Sequence, residues 1–164
     1  MTDKHRPIPA RTVFRDPVHV LAFGFGSGLG PKAPGTFGSA AAILPFLWMQ
    51  TLSPAAYLAV LAISTVFGIW VCGESARRLG VHDHSGIVWD EFVGIWITLF
   101  LAPPGWLWIA LGFALFRLFD VLKPWPIRWL DRHVEGGLGI MLDDVLAGVF
   151  AWLVLQAAVL IVAG

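Results

Sequence analysis

Residues 86–120 read GIVWDEFVGIWITLFLAPPGWLWIALGFALFRLFD, and this stretch decides the fold. Between Glu91 and Arg117 it carries no charged residue. The run is interrupted at Pro103-Pro104-Gly105, which stops a helix and starts a turn. The pattern predicts a helical hairpin with an uncharged turn. Its outer ends carry acids, Asp90-Glu91 on one leg and Asp120 on the other. A hairpin returns its two ends to one level, so these acids are expected at the same depth.

The same pattern recurs along the chain. Every Asp, Glu, Lys and Arg falls within 1–38, 73–91 or 117–144. Stretch 39–72 is broken at Thr51-Leu52-Ser53-Pro54 and predicts a second hairpin; stretch 145–164 predicts a final helix. A bilayer core about 30 Å thick takes roughly 20 apolar residues to cross as a helix. Of the 164 residues, 57% are hydrophobic and 13% charged. Soluble domains carry about 25% charged residues, so a disordered chain, a collagen and an ordinary cytosolic domain are excluded. The expected fold class is all-α: a polytopic membrane helical bundle of about five hydrophobic helices, two hairpins plus a final helix. Short interfacial helices and a Gly-rich loop complete it, in one domain spanning 1–164.

Two hairpins and a last helix put all three charged windows on one side. Lys4, Arg6, Arg11, Arg15, Lys32, Arg77, Arg78, Lys123, Arg128 and Arg132 lie there, which marks it as cytoplasmic. The C-terminus then lies on the far side. Residues 1–17 are polar and basic, unlike a signal peptide, and read as a loose cytoplasmic tail. The legs are short: residues 39–50 reach ~18 Å and 86–102 ~25 Å. Either the bilayer thins around them or some legs are buried against other helices. Eleven basic residues balance eleven acidic ones, so no global positive field points to nucleic acid. The single Cys72 excludes a disulfide framework and reads as packing.

Acids at the ends of apolar helices are costly to place and usually have a task. Asp90-Glu91 opens one helix, Asp120 closes another, and Asp143-Asp144 is expected to open the last. Five carboxylates at matched depth suit a hard cation such as Mg²⁺. A competing account is that acids at helix N-termini complement the macrodipole, each contributing about 0.3–1 kcal/mol. It covers Asp90, Glu91, Asp143 and Asp144. It fails for Asp120, which sits near a C-terminus with Arg117 three residues before it. Within each doublet the side chains diverge by ~100°, so neighbours can take different tasks.

Residues 24–39, GFGSGLGPKAPGTFGS, hold too many glycines for a stable helix. They can form a backbone nest for an anion, with Lys32 as a cation and Thr36 or Ser39 capping the helix that follows. The same composition also fits a flexible linker. Arg117, Lys123 and Arg128 surround Asp120, and Pro124 and Pro126 end that helix. Trp125 and Trp129 fit a membrane–water interface. Arg128 and Arg132 there can contact substrate or serve as a polybasic anchor. His82-Asp83-His84 lacks the further ligands of a transition-metal site and reads as loop-shaping or acid–base.

Four strings carry a resemblance: GFGSGLGPKAPGTFGS, HDHSGIVWDEFVGIWITL, FRLFDVLKPWPIRWLD and GGLGIMLDDVLAG. In order and spacing they resemble the phosphatidylglycerophosphatase A family over residues ~20–150, with no departure at the acidic or basic motif positions. The resemblance implies a Mg²⁺-dependent, all-helical phosphatase of the bacterial cytoplasmic membrane. Its substrate would be phosphatidylglycerophosphate and its products phosphatidylglycerol and inorganic phosphate. Individual roles come from the residues. Asp90, Glu91, Asp120, Asp143 and Asp144 are the candidate catalytic and metal-binding set. Lys32, Thr36, Ser39, Arg117, Lys123 and Arg128 are the candidate phosphate-binding set. The other classes that fit are a membrane ion transporter or channel using the clustered carboxylates, and a non-catalytic anionic-lipid-binding protein.

Overall fold

The computed structural model describes residues 7–81 and 84–163. Lys4, Arg6, His82 and Asp83, which entered the reading above, lie outside the described residues. The described residues are helical throughout their regular structure. In chain order the helices are α1 (Ala10–Arg15), α2 (Pro17–Ala22), a 3₁₀ segment (Gly24–Leu29), α3 (Pro34–Ala41), α4 (Ile43–Met49), α5 (Pro54–Leu79), α6 (Trp89–Thr98), α7 (Trp106–Leu122), α8 (Ile127–His133) and α9 (Gly136–Ala163). The expected loose tail is helical from Ala10, and Val13 is fully buried in the core.

The short α6 is the axis of the molecule. At ten residues it reaches only ~15 Å, half a bilayer core. Every residue of α6 except Ile97 is buried. It packs against α3, α5, α7 and α9. The leg expected over 86–102 is therefore an inner helix, shorter than its apolar run. Thr98 Oγ1 donates back to Gly94 O at 2.8 Å, and Leu101 takes a left-handed φ of 57° in the turn that follows.

Among the described residues two helices, α5 and α9, are long and apolar enough to cross a membrane. Only 22% of the most apolar window of each is buried within the molecule. Helix α9 begins at Gly136, so Asp143 and Asp144 lie two turns inside it rather than opening it. Gly136, Gly137 and Gly139 argue against a helix by propensity. Close packing overrides that. A Cβ on Gly137 would strike Ile69 O of α5, and one on Gly148 would lie 2.7 Å from Gly94 O of α6. Small residues let these backbones meet, as they do between membrane helices.

Helix α3 likewise begins earlier than expected. It starts at Pro34, inside the Gly-rich segment, with a left-handed Ala33 as its first cap (φ 50°) and no side-chain cap. Thr36 and Ser39 thus sit within the helix and do not cap it. The end opposite the charged windows is closed by neutral hydrogen bonds. Tyr57 Oη donates to Trp96 O at 2.7 Å, and Trp152 Nε1 donates to Phe100 O at 2.9 Å.

Candidate active site

The N-terminus of α6, the C-terminal turn of α7, the inner turns of α9 and the start of α3 enclose a cavity of about 240 Å³. Asp90, Glu91, Asp120, Asp143 and Asp144 all line it, with Arg117 and Lys123. The hairpin reading accounts for this: α6 and α7 run apart from one turn and return their acids to one level. Asp143 and Asp144 arrive from the third direction, on α9. Because they lie inside that helix, complementing its dipole does not explain them.

Asp90, Glu91 and Asp144 are buried, and one carboxylate oxygen from each lies within 4.8 Å of the others. Among the described residues, Glu91 Oε2 is buried without a hydrogen-bond partner. Such an oxygen costs free energy unless something positive or hydrogen-bonding meets it. Three like-charged groups this close repel each other unless a cation or protons intervene. An all-carboxylate set of this size is what a hard divalent ion takes.

The other two acids hold the cations. Asp120 Oδ2 accepts from Arg117 Nη1 at 2.7 Å, and the same nitrogen lies 4.0 Å from Glu91 Oε1. Arg117 also donates to Ser39 Oγ at 3.4 Å. Lys123 Nζ lies 2.5 Å from Asp143 Oδ2 and 2.6 Å from Asp131 Oδ1. Burial opposes the charge on Lys123, and the carboxylates of Asp143 and Asp131 outweigh it and raise its pKa. The doublet at 143–144 splits as its helical spacing requires, Asp144 toward the trio and Asp143 toward Lys123. The doublet at 90–91 does not split: both acids reach the same cluster.

Of the candidate phosphate binders, Arg117 and Lys123 line the cavity and Lys32, Thr36, Ser39 and Arg128 do not. Lys32 and Thr36 are exposed. Ser39 is fully buried and its Oγ donates to Gly35 O at 2.8 Å, so it meets the site from behind, through Gly35 and Arg117. Arg128 donates to Leu122 O at 3.2 Å and lines a neighbouring cavity. Sequence reasoning missed Asp131, whose bond to Lys123 crosses the α7–α8 corner. It also missed the wall made by Ala33, Pro34 and Gly35. A Cβ on Gly35 would press on Glu91 Oε1 and lie 3.1 Å from Arg117 Nη1. The close approach requires glycine there, and no spacing rule could reveal it.

The family model described as phosphatidylglycerophosphatase A matches residues 20–159. The chain belongs to the phosphatidylglycerophosphatase A family. It is 50% identical over 151 residues to the phosphatidylglycerophosphatase A of Escherichia coli K12, covering 90% of this chain and 87% of that one. It is 49% identical over 144 residues to the protein of that name in Haemophilus influenzae, covering 87% and 88%. A protein of Bacteroides thetaiotaomicron, provisionally named phosphatidylinositol-3-phosphatase, is 38% identical over 147 residues, covering 85% and 91%. No solved structure matches the chain. The chain is a phosphatase of this family, and the acid-lined cavity falls wholly within the matched residues.

Proposed function

We propose that the chain hydrolyses phosphatidylglycerophosphate to phosphatidylglycerol and inorganic phosphate, with Mg²⁺, in phospholipid biosynthesis at the cytoplasmic face of a bacterial inner membrane. The observation that carries this is the single cavity that gathers five acids with Arg117 and Lys123. It offers ligands for a cation and donors for a phosphate side by side, which phosphoryl transfer needs more than covalent chemistry. The relatives named phosphatidylglycerophosphatase A support the choice of lipid.

The membrane setting draws support from the surface. Leu58, Ile63, Val66 and Trp70 on α5, Leu107 and Val121 on α7, and Leu160 and Ile161 on α9 are exposed. A soluble monomer rarely shows contiguous apolar surface on this scale. In this reading α3–α4 with α5, α6 with α7, and α9 form the two hairpins and final helix, with α6 buried among the others. The cavity then opens at the headgroup level, where the phosphomonoester of a lipid lies. A transporter would place its acids near mid-membrane; these lie at one end of the bundle.

Asp90, Glu91 and Asp144 would hold Mg²⁺. Bound there, the ion would polarise the phosphate or lower the pKa of a water. Arg117 donates to the phosphate oxygens and is held in place by Asp120; Lys123 does the same from the other wall, held by Asp143 and Asp131. Water attacks phosphorus, the bond to the glycerol oxygen breaks, and that oxygen takes a proton. Asp120 or Asp143, outside the metal-holding trio, takes the proton from that water and returns it to the glycerol oxygen; in the covalent alternative the same carboxylate attacks phosphorus first, the glycerol oxygen leaves, and water then hydrolyses the aspartyl phosphate. The cysteine route of other phosphatases is closed, since Cys72 is fully buried.

The test is phosphate release from phosphatidylglycerophosphate by the purified protein in neutral detergent with Mg²⁺. Steady release is expected. A folded sample that releases none overturns the reading.

A further inference from the structure

Beside the acid-lined cavity lies a second one of about 380 Å³, at the corner where α7 gives way to α8. Lys123, Trp125, Arg128, Trp129 and Arg132 line it. Lys123 lines both cavities, so the two adjoin at its side chain. The lining chemistry differs sharply. The first cavity is dominated by carboxylates; the second has none. Among the described residues Arg77, Arg78 and Arg117 are ion-paired, whereas Arg128 and Arg132, like Arg11 and Arg15 near the N-terminus, are not; of these four, Arg128 and Arg132 line this cavity. Arg128 and Arg132 are four residues apart on α8 and so share a face. Trp125 and Trp129 are 81% and 52% exposed. Exposed indoles beside guanidinium groups in a lining without carboxylates fit a boundary where apolar chains give way to phosphate.

We propose that this second cavity binds the phosphodiester of the lipid substrate, while the acid-lined cavity takes its terminal phosphomonoester. The proposal rests on the phosphatase reading above and adds a basis for substrate choice. Phosphatidylglycerophosphate carries two phosphates joined through one glycerol, and the two cavities meet at one lysine. Arg128 and Arg132 contact the diester oxygens, and the tryptophans lie along the glycerol and the first carbons of the acyl chains. A lipid phosphomonoester without a second phosphate, such as phosphatidic acid, fills only the first cavity. The paired arginines therefore set a preference for lipids with a phosphate on each side of the glycerol.

The experiment compares phosphate release from phosphatidylglycerophosphate and from phosphatidic acid, each in the same neutral detergent micelles with Mg²⁺. The readout is the ratio of the two kcat/KM values, for the parent chain and for the double variant R128Q/R132Q. The ratio is expected to fall about tenfold in the variant, mainly through a raised KM for phosphatidylglycerophosphate, as one or two charge-assisted hydrogen bonds are lost. The R128K/R132K variant is expected to recover part of the preference, since charge remains but the fork geometry does not. An unchanged ratio overturns the proposal. That includes the case in which both substrates slow equally, which is how a general lipid anchor or a misfolded variant behaves. If the folded parent chain releases phosphate from neither lipid, the failure belongs to the phosphatase reading itself, and this proposal falls with it.

Discussion

At the end of α5, Glu74 accepts from Arg77 Nη2 at 2.7 Å and from Arg78 Nε at 2.8 Å. Arg78 reaches on to Asp16 at 2.7 Å, and His19 nearby meets Ser75 Oγ at 2.8 Å. Two acids there face two arginines, and each carboxylate has a cation. In the cavity between α3, α6, α7 and α9, five acids face only Arg117 and Lys123. Both clusters sit where the charge-free helices end, so the membrane argument alone does not separate them. Their internal balance does. The α5 cluster satisfies itself and ties α2 to α5, whereas the cavity gathers more carboxylates than cations, an imbalance that the proposed Mg²⁺ would relieve. Even the Ser75–His19–Asp16 arrangement, whose residue types suit nucleophilic catalysis, belongs to the structural side. Ser75 is fully buried and Asp16 lies 3.8 Å from His19 Nε2, too far for a firm bond.

The comparison breaks most visibly if an acid of the trio is neutralised. Asp144→Asn is expected to lower phosphate release by about 10²-fold or more, the scale seen when a key electrostatic group is removed. In the metal-free protein its melting temperature is expected to stay level or rise, because a buried like-charge repulsion is relieved. A marked fall in melting temperature would move Asp144 to the structural side. Gly35→Ala comes next. Its Cβ displaces the Glu91 carboxylate, and turnover is expected to drop about tenfold through misplacement alone. Parent-like turnover in that variant would mean that the close approach of α3 to Glu91 has no role.

The α5 cluster should respond in the opposite way. Ser75→Ala leaves His19 Nδ1 buried without its partner, and is expected to cost about 1 kcal/mol of stability while turnover stays near that of the parent chain. Thermal melting and phosphate release on one preparation check both halves. The smallest effect is that of acid. The hydrogen bond from Arg78 holds the Asp16 carboxyl below its ordinary range. Its contribution is therefore fully present above about pH 4, the unfolded value, and is lost as pH falls through the lower folded value. Because Asp16 is near solvent, the Asp16→Asn variant is expected to shift the acid midpoint of unfolding only slightly.

Much of this arrangement was legible from where charge is absent. The uncharged run broken by Pro103-Pro104-Gly105 turns α6 back into α7, and that return brings Asp90, Glu91 and Asp120 to one cavity. The boundaries of α3 and α9 were not legible, because glycine-rich sequence lowers helix propensity while the packing of Gly137 on Ile69 and of Gly148 on Gly94 more than offsets it. Lys32, expected beside the acids, lies outside the acid-lined cavity because α3 already starts at Pro34. Asp131 escaped notice because its bond to Lys123 depends on the turn that Pro124 and Pro126 impose, a direction that spacing along the chain does not carry.

In the proposed mechanism the excess acids of the cavity form a Mg²⁺ site. Its most direct test is Mg²⁺ binding to the chelator-treated full chain in detergent, followed calorimetrically for the parent chain and for Asp144→Asn. Saturable binding to the parent chain, lost in the variant, is the expected result. Equal binding to both, or none to either, would contradict the claim.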